Sequence, residues 1–242
     1  MCTVTFLPIG TDSFILTSNR DELYSRSEVV FPQLSDDKKL LYPEDKQAHG
    51  TWVGTHKNGT TVCLLNGALK NHKRTPPYRL SRGQVVLDFF ESESSQSFVK
   101  NYDLTNIEPF TLIIVRKKND LSVEEFKWDG TKGVLREIPS NQAAIWSSVT
   151  LYDEFAIKER EQWFLNWQNS RPWNVQTIKE FHNSSDITKP ETSIFMRRNL
   201  VGTVGITSIE SKEGITTMSY DDLSELRKHR IALNDIQTEQ TL

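Results

Sequence analysis

The chain has 242 residues, 36% of them hydrophobic and 10% aromatic, which is enough to bury the core of one domain over residues 1–242. A net charge of -3 argues against the strongly basic surface of a nucleic-acid-binding protein. Two cysteines cannot form a disulfide framework, and no apolar run is long enough for a signal peptide or a membrane span. We therefore expect a cytoplasmic protein without a nucleic-acid partner or a membrane span, and composition leaves its oligomeric state open.

The N-terminal segment predicts a β-hairpin. Residues Cys2 to Leu7 and Ser13 to Thr17 are rich in Thr, Val, Ile and Phe, and turn-forming residues separate them. The polar stretch SNRDE, residues 18–22, follows the second strand. Because a hairpin brings the start of its first strand beside the end of its second, we expect Cys2 to lie near residues 18–22.

A polar segment and a second hairpin follow. Residues 23–48 contain two prolines and many charges, which predicts a surface loop. The strands of the hairpin are Thr51–Thr55 and Thr60–Leu65, and the pair Asn58-Gly59 supplies a turn. The hairpin ends at Asn66, directly after a strand whose successive apolar residues indicate burial.

The rest of the chain alternates between helices and strands. Helices are expected near residues 85–92, 94–101, 152–167 and 175–183, and strands at 109–115, 124–130, 134–138, 203–209 and 214–219, with AAIWSS at 143–148 following the middle pair. Phe155, Trp163, Phe164 and Trp167 predict the apolar face of the longest helix. The tail from Tyr220 is polar, which indicates a partly helical or frayed end. This order predicts one α+β domain with two antiparallel sheets.

The position of Cys2 raises the possibility of an N-terminal nucleophile. Aminopeptidases remove Met1 efficiently when the next residue is small, which leaves a thiol and a free α-amine on one residue. Their ordinary pKa values, about 8.5 and 7.7–8.0, allow the amine to accept the thiol proton near neutral pH. Asp21 could orient the resulting ammonium, Arg20 could bind a substrate carboxylate or stabilise the thiolate, and the amide of Asn66 could stabilise an oxyanion.

Four motifs in series carry a family resemblance. Cys2 after Met1, the SNRDE stretch, Gly50-Thr51-Trp52-Val53-Gly54 and Ser81-Arg82-Gly83 resemble the NRDE family of transport and Golgi organisation protein 2-like proteins. That family in turn looks like the N-terminal-nucleophile hydrolases of the choloylglycine hydrolase and penicillin acylase type. The resemblance implies a four-layer αββα sandwich and hydrolysis of non-peptide C–N bonds in linear amides, or acyl transfer from them. It also implies a small-molecule amide, acyl or lipid-like ligand, and we expect no cofactor.

The resemblance assigns roles residue by residue. Cys2 would be the nucleophile, Asp21 the partner of its amine and Asn66 the oxyanion donor, with Arg20 beside them. The candidates for substrate binding are Asn19, Glu22, Trp52, Arg82 and Ser148.

Two positions depart from the pattern. The hydrolases have an arginine three residues before the aspartate, where this chain has Ser18 and offers Arg20 instead. Many family members have Ser-Asn where this chain has Ser147-Ser148. A serine hydroxyl donates one hydrogen bond where an amide donates two, and loss of one oxyanion donor costs about 10²–10³ in rate.

Each candidate has a structural alternative. Cys2 could be a small buried residue, SNRDE a solvated turn, Trp52 a packing residue, Asn66 a strand-end cap and Arg82 part of the scaffold. A non-catalytic carrier or trafficking factor for lipid, acyl-CoA or haem on the same fold is the alternative function, which the family resemblance alone implies. The five histidines show no metal-ligand spacing, so no zinc site is expected.

Overall fold

Thirteen strands and four helices account for most of the described chain. The computed structural model describes residues 3–118 and 120–234. In chain order the strands are β1 (Thr3–Pro8), β2 (Phe14–Leu23), β3 (Val29–Leu34), β4 (Leu40–Asp45), β5 (Val53–His56), β6 (Thr60–Asn66), β7 (Phe110–Lys117), β8 (Leu121–Trp128), β9 (Gly133–Ile138), β10 (Ala144–Ser147), β11 (Val201–Lys212), β12 (Ile215–Asp222) and β13 (Arg227–Asn234). The helices are α1 (Arg82–Phe89), α2 (Ser95–Asn101), α3 (Glu154–Ser170) and α4 (Val175–His182).

The strands form two antiparallel sheets. The first sheet has the order β10-β1-β2-β11-β12-β13, so the N-terminal hairpin lies between strands from the second half of the chain. The second sheet has the order β3-β4-β5-β6-β7-β8-β9, in which every strand pairs with its sequence neighbour. Both predicted N-terminal hairpins and the C-terminal hairpin are present.

Alternation along the strands separates three apolar layers. Val4 and Phe6 of β1 face Cys63 and Leu65 of β6 in the core between the sheets. Leu7, one residue further along β1, packs instead with residues of α3 and α4. Residues of β6 and β7 on the opposite face of the second sheet pack with α1 and α2. The result is the predicted α+β fold, an αββα sandwich with a helical layer on each outer face.

Three local predictions are wrong. Residues 23–48 are not a loop, because they contain the hairpin of β3 and β4 at the edge of the second sheet. The tail from Tyr220 continues β12 and then forms the edge strand β13 up to Asn234, beyond which the chain lies outside the described residues. Phe155 is 72% exposed, whereas Phe164, Trp163 and Trp167 do pack on the core.

No helix among residues 3–118 and 120–234 is long and apolar enough to cross a membrane.

Candidate active site

Strand β2 carries the SNRDE stretch, which was expected to follow the strand rather than to be part of it. In an extended strand successive side chains point to opposite faces, so Asn19 and Asp21 lie on one face and Arg20 on the other. Thr3 pairs with Asn19 in the hairpin, and Cys2 itself lies outside the described residues. The strand therefore presents an acid to the α3–α4 layer and a guanidinium to the space between the sheets.

Asp21 is buried and holds two hydroxyl groups. Its Oδ2 accepts a hydrogen bond from the Tyr152 hydroxyl at 2.9 Å, and its Oδ1 accepts one from Thr203 Oγ1 at 2.6 Å. The pairing of β2 with β11 shifts register between Thr203 and Gly205, which is a β-bulge opposite Asp21. Bulges turn a side chain toward a functional position, and this one directs Thr203 at the carboxylate.

Arg20 is held rigidly although it carries a charge. Its side chain is 3% exposed and forms an ion pair with Asp45 at 2.9 Å. It also donates to the carbonyl oxygen of Arg26 at 2.9 Å and lies 5.1 Å from the centre of the Trp52 ring. Burial acts to raise the pKa of Asp45, but hydrogen bonds from Ala48 N–H and Arg20 and the charge of Arg26 outweigh it and hold that pKa below its ordinary value. Asp45 therefore stays ionised and keeps Arg20 in place.

One cavity collects most of the predicted site residues. It has a volume of about 380 Å³ and opens beside Arg20. The predicted residues that line it are Arg20, Glu22, Trp52, Asn66 and Arg82. The remaining walls come from the coil at residues 74–80, the start of α1 and the turn after β4. We call this space the arginine cavity.

Asn66 lies at the boundary between two cavities. It is the last residue of β6 and also lines a second cavity of about 230 Å³, together with Ser148. The Ser148 hydroxyl donates to the backbone oxygen of Asn66 at 2.7 Å and lies 2.8 Å from Thr150 Oγ1. Ser148 is therefore buried against the backbone that carries Asn66, a position from which it fixes that residue.

Asn19 lies apart from the arginine cavity, on the helical side of the first sheet. Its amide nitrogen donates to the backbone oxygens of His182 and Ile194 at 3.0 and 2.7 Å. Its Oδ1 lies 2.6 Å from His182 Nδ1, and His182 Nε2 lies 2.8 Å from Thr5 Oγ1. An amide oxygen can only accept, so His182 Nδ1 carries a proton and Nε2 accepts from the threonine. This network fixes the Asn19 side chain, which lines neither the arginine cavity nor the cavity beside Ser148.

Arg160 of α3 is a residue that the sequence did not single out. It is fully buried, and it donates to the carbonyl oxygens of Thr192 and Ser193 at 2.8 and 2.5 Å. Its other nitrogens donate to Ser147 Oγ at 3.0 Å and to Thr3 Oγ1. Within the described chain it forms no ion pair with a carboxylate. Ala156, Arg160 and Phe164 share the buried face of the helix at intervals of four residues. This spacing is the feature of the sequence from which the burial of Arg160 could have been predicted.

The aromatic ring of Tyr152 connects Arg160 to Asp21. The guanidinium of Arg160 lies 3.9 Å from the centre of that ring, whose hydroxyl donates to Asp21. Arg160 therefore contacts the side chain of Thr3, the end of β10 at Ser147 and the partner of Asp21. It joins three elements of the candidate site without lining either cavity.

The other cysteine does not suit the role of nucleophile. Cys63 is fully buried in the core between the sheets, and burial raises the pKa of its thiol to about 12. The thiolate is the reactive form, so Cys63 is inert near neutral pH.

Comparison with known proteins agrees with the fold and with the sequence motifs. The family model described as Transport and Golgi organisation 2 matches residues 1–200. A variant of conjugated bile acid hydrolase from Clostridium perfringens is 12% identical with a TM-score of 0.53, over 95% of this chain and 92% of that one. Penicillin V acylase from Agrobacterium tumefaciens is also 12% identical with a TM-score of 0.53, over 96% of this chain and 86% of that one. No curated protein matches the sequence.

Proposed function

Because the chain belongs to the Transport and Golgi organisation 2 family and has the N-terminal-nucleophile hydrolase fold, we propose that it is a cysteine amidohydrolase. The reaction is cleavage of a non-peptide C–N bond in a small linear amide. The solved structures that share the fold are by name a hydrolase and an acylase, which supports acyl chemistry. Transfer of the acyl group to an acceptor other than water is the same chemistry with a different second nucleophile.

In this mechanism Cys2 becomes the N-terminal residue when Met1 is removed. The α-amine takes the thiol proton, and the thiolate attacks the amide carbon. Asn66 donates to the oxyanion of the tetrahedral intermediate, and Asp21 holds the ammonium. The ammonium then gives its proton to the departing amine as the C–N bond breaks. Water attacks the remaining thioester with the amine again as base, which releases a carboxylic acid and restores the thiol.

The buried carboxylate of Asp21 is the observation that carries the proposal. It lies in β2, two residues beyond Asn19, and Asn19 pairs with Thr3, the covalent neighbour of Cys2. Its two hydroxyl donors and the bulge in β11 fix the carboxylate, a degree of preorganisation that a packing residue does not need. Asn66, where the two cavities meet, supports the assignment of the oxyanion donor because a substrate could extend to either side of it.

The decisive experiment measures acylation and turnover on matched variants. With a panel of N-acyl amides, we expect amine release and an acyl adduct at Cys2 by intact mass in the unaltered protein. Cys2→Ala should abolish both, and acetylation of the α-amine or retention of Met1 should do likewise. Cys63→Ala is the control and should keep the rate, since Cys63 lies in the core. Full turnover by Cys2→Ala contradicts the mechanism.

A carrier for lipid, acyl-CoA or haem is the other outcome of that experiment. A protein that binds such ligands stoichiometrically but releases no amine from any member of the panel fits the carrier. A cysteine-reactive probe at neutral pH separates the two further, because an activated Cys2 reacts faster than an ordinary thiol.

A further inference from the structure

We propose that the arginine cavity binds the acid group of the substrate, so that the preferred amide carries a carboxylate. This substrate class deepens the proposed function, and the measurement of turnover that tests it rests on that function. The measurement of binding does not, because an acid group binds in the cavity whether or not the C–N bond is cleaved.

The wall of the cavity carries an excess of positive charge. Four guanidinium groups line it, against three carboxylates. The arginines are Arg20, Arg26, Arg74 and Arg82, and the carboxylates are Glu22, Asp45 and Glu108. The charged residues that line the second cavity are Glu125, Glu161, Lys127 and Arg136, so two negative charges balance two positive ones. Of these two cavities, the one beside Arg20 is therefore the one that attracts an anion.

Asp45 has little remaining capacity to accept hydrogen bonds. Its Oδ1 accepts from the backbone N–H groups of Gln47 and Ala48 at 3.0 and 2.9 Å. Its Oδ2 lies 2.9 Å from Arg20 and 3.2 Å from Arg26. One carboxylate thus fixes two guanidiniums, and Glu22 forms a second ion pair with Arg26 at 3.5 Å. These two cations are therefore balanced within the wall, and the excess positive charge lies with Arg74 and Arg82, which share Glu108.

Glu108 repeats this arrangement with the other two arginines that line the cavity. It is 7% exposed, and its two oxygens lie 3.2 Å from His72 Nε2, 3.1 Å from Arg74 Nε and 3.4 Å from Arg82 Nη2. The ion pairs with Arg74 and Arg82 hold the coil at residues 74–80 against the start of α1. Glu108 therefore orders the cations around the cavity without cancelling both of their charges.

Helix α1 and the apolar wall complete the recognition site. Ser81, Arg82 and Gly83 at the N-terminus of α1 line the cavity, and a helix N-terminus carries a partial positive charge. Trp52, Leu64, Tyr78 and Leu80 provide apolar surface beside the arginines. A planar carboxylate suits the two-pronged donors of arginine, and hydrocarbon next to it suits these side chains.

The binding experiment uses Cys2→Ala protein and two probes of equal length, N-octanoylglycine and N-octanoylethanolamine. They differ by a carboxylate in place of a hydroxymethyl group. Calorimetry should give a Kd about tenfold lower for the glycine conjugate, with a preference that weakens as salt is raised. Arg74→Gln and Arg82→Gln should each bring the ratio of Kd values toward one. Arg74 is exposed, so the Arg74→Gln protein should fold. If Arg82→Gln does not fold, Arg74→Gln alone decides the test.

Lys73→Gln is the matched control. Lys73 precedes Arg74, is exposed and does not line the cavity, so its loss removes the same charge from the same coil and should leave the ratio unchanged. Equal Kd values, no binding of either probe, or a ratio that survives both arginine variants overturns the inference. If the unaltered protein binds the glycine conjugate selectively but releases no amine, only the proposed function is contradicted. If it cleaves both probes with equal efficiency, only the preference for an acid group is contradicted.

Discussion

A fall in pH should destabilise the fold through one buried histidine. His182 is completely buried, and its ring nitrogens are engaged by Asn19 and Thr5. Burial lowers the pKa of His182 from 6.5 to about 3, and the charge of Arg160 acts in the same direction. The folded protein therefore holds the ring neutral at pH values at which the unfolded chain protonates it.

The size of the effect follows from the two pKa values. The folded pKa is depressed, so the stabilisation is fully present above about pH 6.5 and is lost as pH falls toward 3. Each pH unit in that window is worth about 1.4 kcal/mol, so lowering the pH from 7 to 5 should reduce the free energy of unfolding by about 2 kcal/mol. Carboxyl groups with pKa values below their ordinary range lose their stabilisation only below about pH 5, so they contribute little between pH 7 and pH 5.

Equilibrium urea unfolding at pH 7 and pH 5, followed by tryptophan fluorescence, measures this difference. His182→Gln should be less stable than the unaltered protein at pH 7 and should lose most of the pH dependence. His49→Asn is the control, because His49 is exposed and asparagine tolerates its positive φ of 50°. If the unaltered protein loses less than about 0.5 kcal/mol, or if His182→Gln keeps the same slope, the buried neutral ring is not the cause.

Three further predictions concern stability and thiol chemistry. Arg160→Ala leaves without a donor the two carbonyl oxygens to which Arg160 donates, so it should lower the free energy of unfolding in urea by about 3 kcal/mol. Lys158→Ala on the exposed side of α3 is the control and should change that free energy by less than about 0.5 kcal/mol. A loss below about 1 kcal/mol for Arg160→Ala would mean that relief from burying the charge offsets the hydrogen bonds. Gly50→Ala should lower the melting temperature, since its Cβ would lie 2.5 Å from the carbonyl carbon of Gly83, and an unchanged melting temperature contradicts that packing. Iodoacetamide at pH 7.5 should leave Cys63 unmodified in the native protein and modify it in urea, which peptide mapping would show; native labelling of Cys63 would argue against its burial.

Much of the sheet structure was predictable because local signals and tertiary packing agree. Asn58-Gly59 forms the predicted turn, and Gly59 has the positive φ of 83° that such turns require. Strands β3 and β13 lie at sheet edges, and β4, next to β3, pairs with β5 only at Leu40 and Leu41. These strands were missed because unpaired strand edges tolerate residues that otherwise indicate loops. Proline is accepted there, and charges protect the exposed edge from other chains. Pro32, Pro43 and the run Arg227 to Arg230 all lie in these strands.

The candidate site was predictable to the extent that hairpin geometry and motifs fix it. Arg20, Trp52, Asn66 and Arg82 do meet at one cavity. Their counterions could not be foreseen, because which carboxylate faces which guanidinium depends on sheet packing between distant segments. Glu108, for example, is separated from Arg74 by two helices in the sequence yet forms an ion pair with it.

The insertion of the N-terminal hairpin between β10 and β11 delays completion of the first sheet during synthesis. The strand that pairs with β2 begins only at Val201, so at translation rates of about 5–20 residues per second both long edges of the hairpin stay unpaired for on the order of ten seconds or more. The hydroxyl that holds Asp21 from β11, Thr203, emerges with that last partner. A nascent chain that stops before Val201 would therefore contain the SNRDE stretch and the residues that line both cavities, yet it would expose apolar strands to aggregation and would lack one of the two hydroxyl donors that hold Asp21.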